Sequence, residues 1–287
     1  MTEIFPNYYD KFKCIADKCR HSCCIGWEID IDDDTMELYN SIGDENILKN
    51  IEGNPPHFKL AKDERCPFLN KSGLCDIITK YGDGAICDIG YFHPRFRNFY
   101  ENFEETGLGL ACEEAARIVL SQTDKFAIEI PDVATDEERV FLEERQRIFD
   151  ILQNRDVNIA QRFLNLAKEY GFKFNFSLVK LLDIYISLER LDDKWTDILE
   201  GLKGYDFDGY IFTDDCMQIF FEQLACYFIF RHFQNEGAVK FALSGCFLLG
   251  AIIAQVNADF EKATDFVRMY SSEIEYSEEN TDKLFKI

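Results

Sequence analysis

Cysteine is crowded at one end of this chain, and that crowding constrains its fold more than any other feature. Of 11 cysteines, eight fall within the first 112 residues. Four share one short run, Cys14-Ile-Ala-Asp-Lys-Cys19-Arg-His-Ser-Cys23-Cys24, and four follow singly at Cys66, Cys75, Cys87 and Cys112. Thiols at this density bind metal, carry iron–sulfur clusters or form disulfides, and the compartment decides among these. The N-terminus, MTEIFPNYYDKFKC, has no basic segment, apolar run or small-residue cleavage site of the secretory kind. A cytoplasmic location is therefore expected. Reduced thiols at this spacing then read as metal-binding or catalytic rather than as a disulfide framework.

A length of 287 residues allows one large domain or two smaller ones with real cores. The balance of 31 basic against 53 acidic residues gives a net charge of -22. That balance argues against a nucleic-acid partner, which needs a basic surface, and against anionic membranes. It attracts a protein partner that presents lysines. The most apolar stretch, Phe241 to Val256, contains Gln255 and falls short of the roughly 20 residues that cross a bilayer. It reads as a buried core helix.

The pattern predicts a mainly α protein: a cysteine-rich, loop-heavy N-terminal module with minor β structure over residues 1–125, then an all-helical domain over 126–287. Turn residues crowd the first part, with Gly43, Gly53, Asn54-Pro55-Pro56, Gly73, Gly82 and Gly84. Glu28 to Asp32 alternates acidic and apolar residues and predicts a half-buried strand. Asp33 or Asp34 is expected to cap a helix through Ile42, and helices are expected over 74–81 and from Cys112 to Leu120. Lys125 to Ile130 reads as a strand ended by Pro131. Asp136 is expected to cap a helix to about Asn154. Apolar spacing of three and four predicts further helices over 159–170, 177–191, 194–202, 215–234, 238–256 and 259–270, with a frayed tail from Ser271. Met217, Phe220, Phe221, Leu224, Tyr227 and Phe228 form an apolar, mostly aromatic stripe that reads as core. Cys216, Cys226 and Cys246 read as small buried hydrophobes.

Tetrahedral zinc takes four Cys or His ligands and a cubane cluster usually takes four thiolates, so eight cysteines hold one site with spares or two sites. Adjacent Cys23 and Cys24 point in different directions in most backbone conformations, which argues against both serving one ion. The spacing excludes the CxxxCxxC cluster motif of radical-SAM enzymes, because no cysteine lies three residues after Cys23. Gly107-Leu-Gly109 is only a fragment of a dinucleotide-binding turn.

Cys14 to Cys24 runs into Ile25-Gly26-Trp27. Then come Cys66-Pro67-Phe68-Leu69, Gly73-Leu74-Cys75, a segment from Cys87 to His93-Pro94-Arg95, and Cys112-Glu113-Glu114-Ala115-Ala116-Arg117. This ordered set, over roughly residues 8–120, resembles the flagellin lysine N-methylase family. More broadly it is similar to small cysteine-cluster proteins described as zinc- or iron-chelating. The resemblance implies transfer of a methyl group from S-adenosylmethionine to lysine side chains of flagellin or another lysine-bearing protein. It also implies that Cys14, Cys19, Cys23, Cys24, Cys66, Cys75, Cys87 and Cys112 carry metal, as an iron–sulfur cluster (4Fe–4S) or as zinc. One departure is His93, which replaces a tyrosine of the family pattern and adds an imidazole as a possible further ligand.

Methyl transfer to lysine needs the amine neutral, because an ammonium has no lone pair. The site must also hold nitrogen, methyl and sulfur in line. Acidic or hydroxyl candidates for receiving the lysine are Asp30, Asp32, Glu113 and Tyr91. Arg95 and Arg97 are candidates for the methyl donor's carboxylate, with Arg95 and Tyr91 taken as its binding residues. Two other readings stay open: a non-catalytic metal or iron–sulfur sensor, and cysteines that serve only as zinc staples for a loop-rich module.

Overall fold

Helices make up most of the chain in the computed structural model, which describes residues 2–287. The mainly α expectation holds. Packing divides the chain into two units: residues 13–95 with 112–114, and the chain up to Phe12 with 96–111 and 115–287.

The first unit is built from short pieces. Helices Asp33–Ile42, Glu45–Leu48, Asp76–Tyr81 and Asp88–Phe92 surround a small hairpin that pairs Ile51–Glu52 with His57–Phe58. Its core is Ile29, Ile31, Tyr39, Ile47, Phe58, Phe68 and Ile77, packed together with Cys66 and Cys87. The first helix is capped by Asp32, not by Asp33 or Asp34, because the Asp32 carboxylate reaches the Thr35 N–H at 2.8 Å. Glu28 to Asp32 does bury alternate residues, Ile29 and Ile31, but forms no strand. Its pairing is confined to a single bridge from Asp30 to His57 and two backbone bonds around the Pro55-Pro56 turn. The helix expected from Leu74 begins at Asp76 and stops at Gly82, whose φ of 87° suits a residue without Cβ.

The second unit centres on two nearly all-buried helices, Gln218–His232 and Ala238–Gln255. The stripe read as core is core: Phe220 to Phe228 on that face are at most 3% exposed and Met217 is 9%. Helices Asp136–Leu152, Ile159–Glu169, Leu178–Ile186, Asp193–Gly201 and Phe260–Tyr270 complete the unit, each close to its expected range except Leu178–Ile186, which stops well short of Leu191. Thr135, not Asp136, caps the first, through a reciprocal capping box with Glu138. Cys226 and Cys246 are buried as expected, whereas Cys216 is exposed, because it lies on a 3-10 turn that precedes the buried helix.

Three further corrections concern this unit. Lys125 to Ile130 is extended chain but no strand. Side chains satisfy its backbone instead: Asn7 bonds Lys125 and Ala127, and Gln153 bonds Phe126. A small sheet the sequence did not announce has the order Thr2–Ile4, Phe103–Leu108, Arg95–Phe99, with the first pair parallel. Gly107 lies inside its strand Phe103–Leu108 rather than in a strand-to-helix turn. A Cβ there would meet Phe96 and Phe230 at 2.4–2.6 Å, so the glycine is a packing requirement. Finally, the tail does not fray. It continues as a π-turn, Ser271–Glu275, and a helix, Glu278–Leu284, with Ser271, Glu273, Ile274 and Glu275 buried. Sequence periodicity misses it because this stretch is acidic, yet its acids are bonded. Glu273 accepts the N–H groups of Leu191 and Asp192.

Two buried carboxylates, each paired with arginine, tie the unit together. Arg145 makes a two-pronged pair with Glu105 at 2.7 and 2.6 Å. Glu222 takes both Arg155 and Arg162.

Candidate functional site

All eight N-terminal cysteines lie in the first unit, and all are free thiols. They fall into two neighbourhoods. Cys24, Cys66, Cys75 and Cys87 share one apolar cluster, where the Cys66 N–H donates to the Cys24 carbonyl at 2.8 Å and Leu69 bridges to Cys75. Burial first, and then the other three thiols, push the Cys66 thiol up to about 12; burial chiefly raises Cys75 and takes Cys87 to about 11. The second neighbourhood is Cys14, Cys19, Cys23 and Cys112, whose charges act on one another. Burial raises Cys19 to about 11. Cys23 and Cys24 join the two neighbourhoods. Cys23 donates to the Cys24 sulfur, which raises its own pKa and lowers that of Cys24, so Cys24 ionises first.

Among the described residues no three Cys, His, Asp or Glu side chains converge closely enough to hold a metal ion. The donor chemistry nevertheless suits one. Four soft sulfurs in an apolar surround, whose thiolates would repel one another, are the donor type that zinc and iron–sulfur clusters use. His93 is mostly buried, with Nε2 lacking a hydrogen-bond partner among the described residues, and burial takes its pKa down to about 4.

Two nominated acids, Asp32 and Glu113, hold structure through their carboxylates. Asp32 accepts from Thr35 and from the Asp88 N–H, which together outweigh burial and keep its pKa low. Glu113 anchors the cysteine run by accepting from the Arg20 side chain at 2.9 Å and from the Arg20 and His21 N–H groups; these bonds outweigh burial and lower its pKa. Asp30 pairs with His57 through its backbone only, and its side chain is exposed. Tyr91, 55% exposed, stands on helix Asp88–Phe92 with its ring edge-on to Phe92. Arg95 starts the strand Arg95–Phe99.

Arg97, also nominated, lines a cavity. This cavity, in the helical unit, has a volume of about 370 Å³ and is walled by Phe96, Arg97, Arg231, His232, Glu275 and, from the last helix, Glu278 and Asp282. Helix Gln218–His232 delivers Tyr227, Arg231 and His232, and the π-turn swings Glu275 onto them. Such turns recur at functional sites. Glu275 Oε1 lies 2.7 Å from His232 Nε2, and Oε2 accepts from the Tyr227 hydroxyl at 3.0 Å. Arg231 donates to Tyr227 at 2.8 Å and to the Glu275 carbonyl at 3.2 Å, and lies over the Phe96 and Tyr276 rings. Burial works to raise the Glu275 pKa, but Arg231 and the His232 bond outweigh it and hold the carboxyl below its usual range. Burial lowers the His232 pKa despite Glu275. The pair is therefore a carboxylate with a neutral imidazole whose Nε2 carries the proton. Sequence reading missed these residues. The only trace was Arg231-His232 at the end of an apolar helix.

The class this defines is a mainly helical protein with a thiol-rich unit and, in its helical unit, a cavity walled by a buried acid–base pair. Sequence comparison makes it more particular. The chain is 28% identical over 139 residues to the Lysine-N-methylase of Salmonella typhimurium, a match covering 45% of this chain and 35% of that protein. It is 27% identical over 140 residues to the Flagellar biosynthetic protein FliU of Salmonella muenchen, covering 45% of this chain and 82% of that one. The chain is thus related to the lysine N-methylases, as its cysteine motifs imply, and its match spans about a third of the length of the curated Lysine-N-methylase. No family model and no solved structure matches it.

Proposed function

We propose that this chain is a protein-lysine N-methyltransferase that takes its methyl group from S-adenosylmethionine and acts on flagellin or another lysine-bearing protein. The similarity to the curated Lysine-N-methylases carries this reading. The charge of -22 supports it, because a cationic lysine-rich acceptor is drawn to such a surface.

The reading includes a metal role for the cysteines. Cys24, Cys66, Cys75 and Cys87 form one donor set, and Cys14, Cys19, Cys23 and Cys112 the other. Zinc bound there supplies a cross-link for a unit with little regular structure, and an iron–sulfur cluster adds a redox couple. Arg95 and Tyr91 are assigned to the methyl donor. The chemistry is displacement at a sulfonium methyl. The chain must bind the lysine, remove a proton from its ammonium, exclude water and hold the nitrogen in line with the S–C bond.

The deciding experiment incubates protein purified without oxygen with labelled S-adenosylmethionine and flagellin, and maps label to lysine by mass spectrometry. Label on lysine supports the reading. Metal bound with neither donor binding nor transfer replaces it with that of a non-catalytic metal-binding module.

A further inference from the structure

We propose that the cavity between helix Gln218–His232, the π-turn and the last helix receives the lysine side chain, and that His232, oriented by Glu275, takes the ammonium proton. The proposal rests on the methyltransferase reading for the source of its ligand.

Four observations carry it. The cavity is large enough, at about 370 Å³, for an alkyl ammonium. Its rim acids, Glu278 and Asp282, are exposed, stand one helical turn apart on the same helix and so face the same way. Its floor holds a charged group buried at real cost, the Glu275 carboxylate, whose side chain is fully covered. And a histidine on its wall has one ring nitrogen fixed by that carboxylate. This leaves the other as the nitrogen that can exchange a proton.

The charged and titratable groups around His232 are Glu275 and Arg231 beside it, with Tyr227 bonded to both, and Arg97, Glu278 and Asp282 on the cavity wall. Phe241 and Phe285 pack its ring at 4.8 and 5.6 Å and keep water from that side. Arg97 is near Glu104 at 3.8 Å, and Arg231 is engaged by Glu275 and Tyr227. The wall is thus left with two rim carboxylates that attract a cation.

The proton balance closes. The ammonium gives one proton to the imidazole, which becomes imidazolium next to the Glu275 carboxylate. The freed lone pair attacks the methyl carbon of a sulfonium donor. The N–C bond forms and the S–C bond breaks, with its electron pair staying on sulfur as a neutral thioether. The methylated nitrogen carries the positive charge away. Glu275 is a positioning residue in this scheme, acting through His232.

The test titrates the full chain, with histidine rings labelled with ¹⁵N, with Nα-acetyl-lysine N-methylamide. The expected result is movement of the His232 ring signals, and affinity about tenfold weaker in the E278Q/D282N double variant, whose substitutions are on the surface. An unmoved His232 signal, or equal affinity in the double variant, overturns the proposal. In methyl-transfer assays, His232→Gln should lower kcat by about 10²–10⁴-fold and remove the acid limb of the pH profile. Glu275→Gln should lower kcat with KM little changed, and should shift that limb. Transfer at the parental rate and pH profile in H232Q sinks the site and leaves the methyltransferase reading standing. Amine binding without methylation of any acceptor does the reverse.

Discussion

His232 and Glu275, 43 residues apart in sequence, meet at 2.7 Å as a buried histidine and carboxylate. Their states favour one another. The neutral imidazole donates to the carboxylate, and Arg231 keeps the carboxylate charged. This pair contributes, along with the buried His93, to how the protein should respond to acid.

Both members have folded pKa values below their ordinary ones, so the folded state binds fewer protons than the unfolded chain. Stability then rises with pH and is lost as pH falls, first through the histidine range below about 6.5 and then through the carboxylate range. Thermal unfolding from pH 8 to 5 should show a falling Tm. His232→Asn should flatten the part between pH 7 and 5.5. A parental slope in that variant would assign the acid sensitivity elsewhere.

The Arg145–Glu105 pair is buried on both sides, at 2% and 0% side-chain exposure. Removing one partner strands the other without water. Arg145→Ala should cost about 3–5 kcal/mol in urea unfolding, whereas replacing both partners by apolar residues of similar size should cost much less. A double variant as unstable as the single one would show that packing, not charge, carries the site.

Gly107→Ala puts a methyl group against the Phe96 and Phe230 rings. Overpacking of this kind costs about 1–3 kcal/mol. Because Phe96 also walls the cavity, the variant should also weaken binding of the lysine analogue. Unchanged stability and unchanged affinity together would count against the close packing.

If the two four-thiol neighbourhoods hold metal, Cys66→Ser and Cys87→Ser should each lower metal content measured on protein purified without oxygen, whereas Cys216→Ser should not. Cys216 is exposed and lies in the helical unit. Equal metal content in all three variants would remove Cys66 and Cys87 from the metal role.

Much of the helical body was legible in the sequence, because burying one face of a helix writes a period near 3.6 into the chain, and the aromatic stripe from Met217 to Phe228 follows it. Cap details were legible only to a residue or so. Asp32 and Thr135 are chosen over their neighbours by which side chain reaches the third N–H, a geometric matter. The short strands were hidden because pairings such as Thr2 with Phe103 are long-range.

By itself the sequence determined the thiol inventory, the acidic balance, the helix periods and the motif order that ties the chain to lysine methylases. All of these are local or compositional, and composition and spacing survive in one dimension. Only the tertiary structure decided that the eight thiols sort into two groups of four, that Asp32 and Glu113 are committed to backbone N–H groups, and that an acidic tail folds inward to set Glu275 against His232. Those outcomes depend on which distant residues share a buried volume. A carboxylate reads alike in sequence whether it faces water or a guanidinium. Burial and neighbours alone decide its charge and its use.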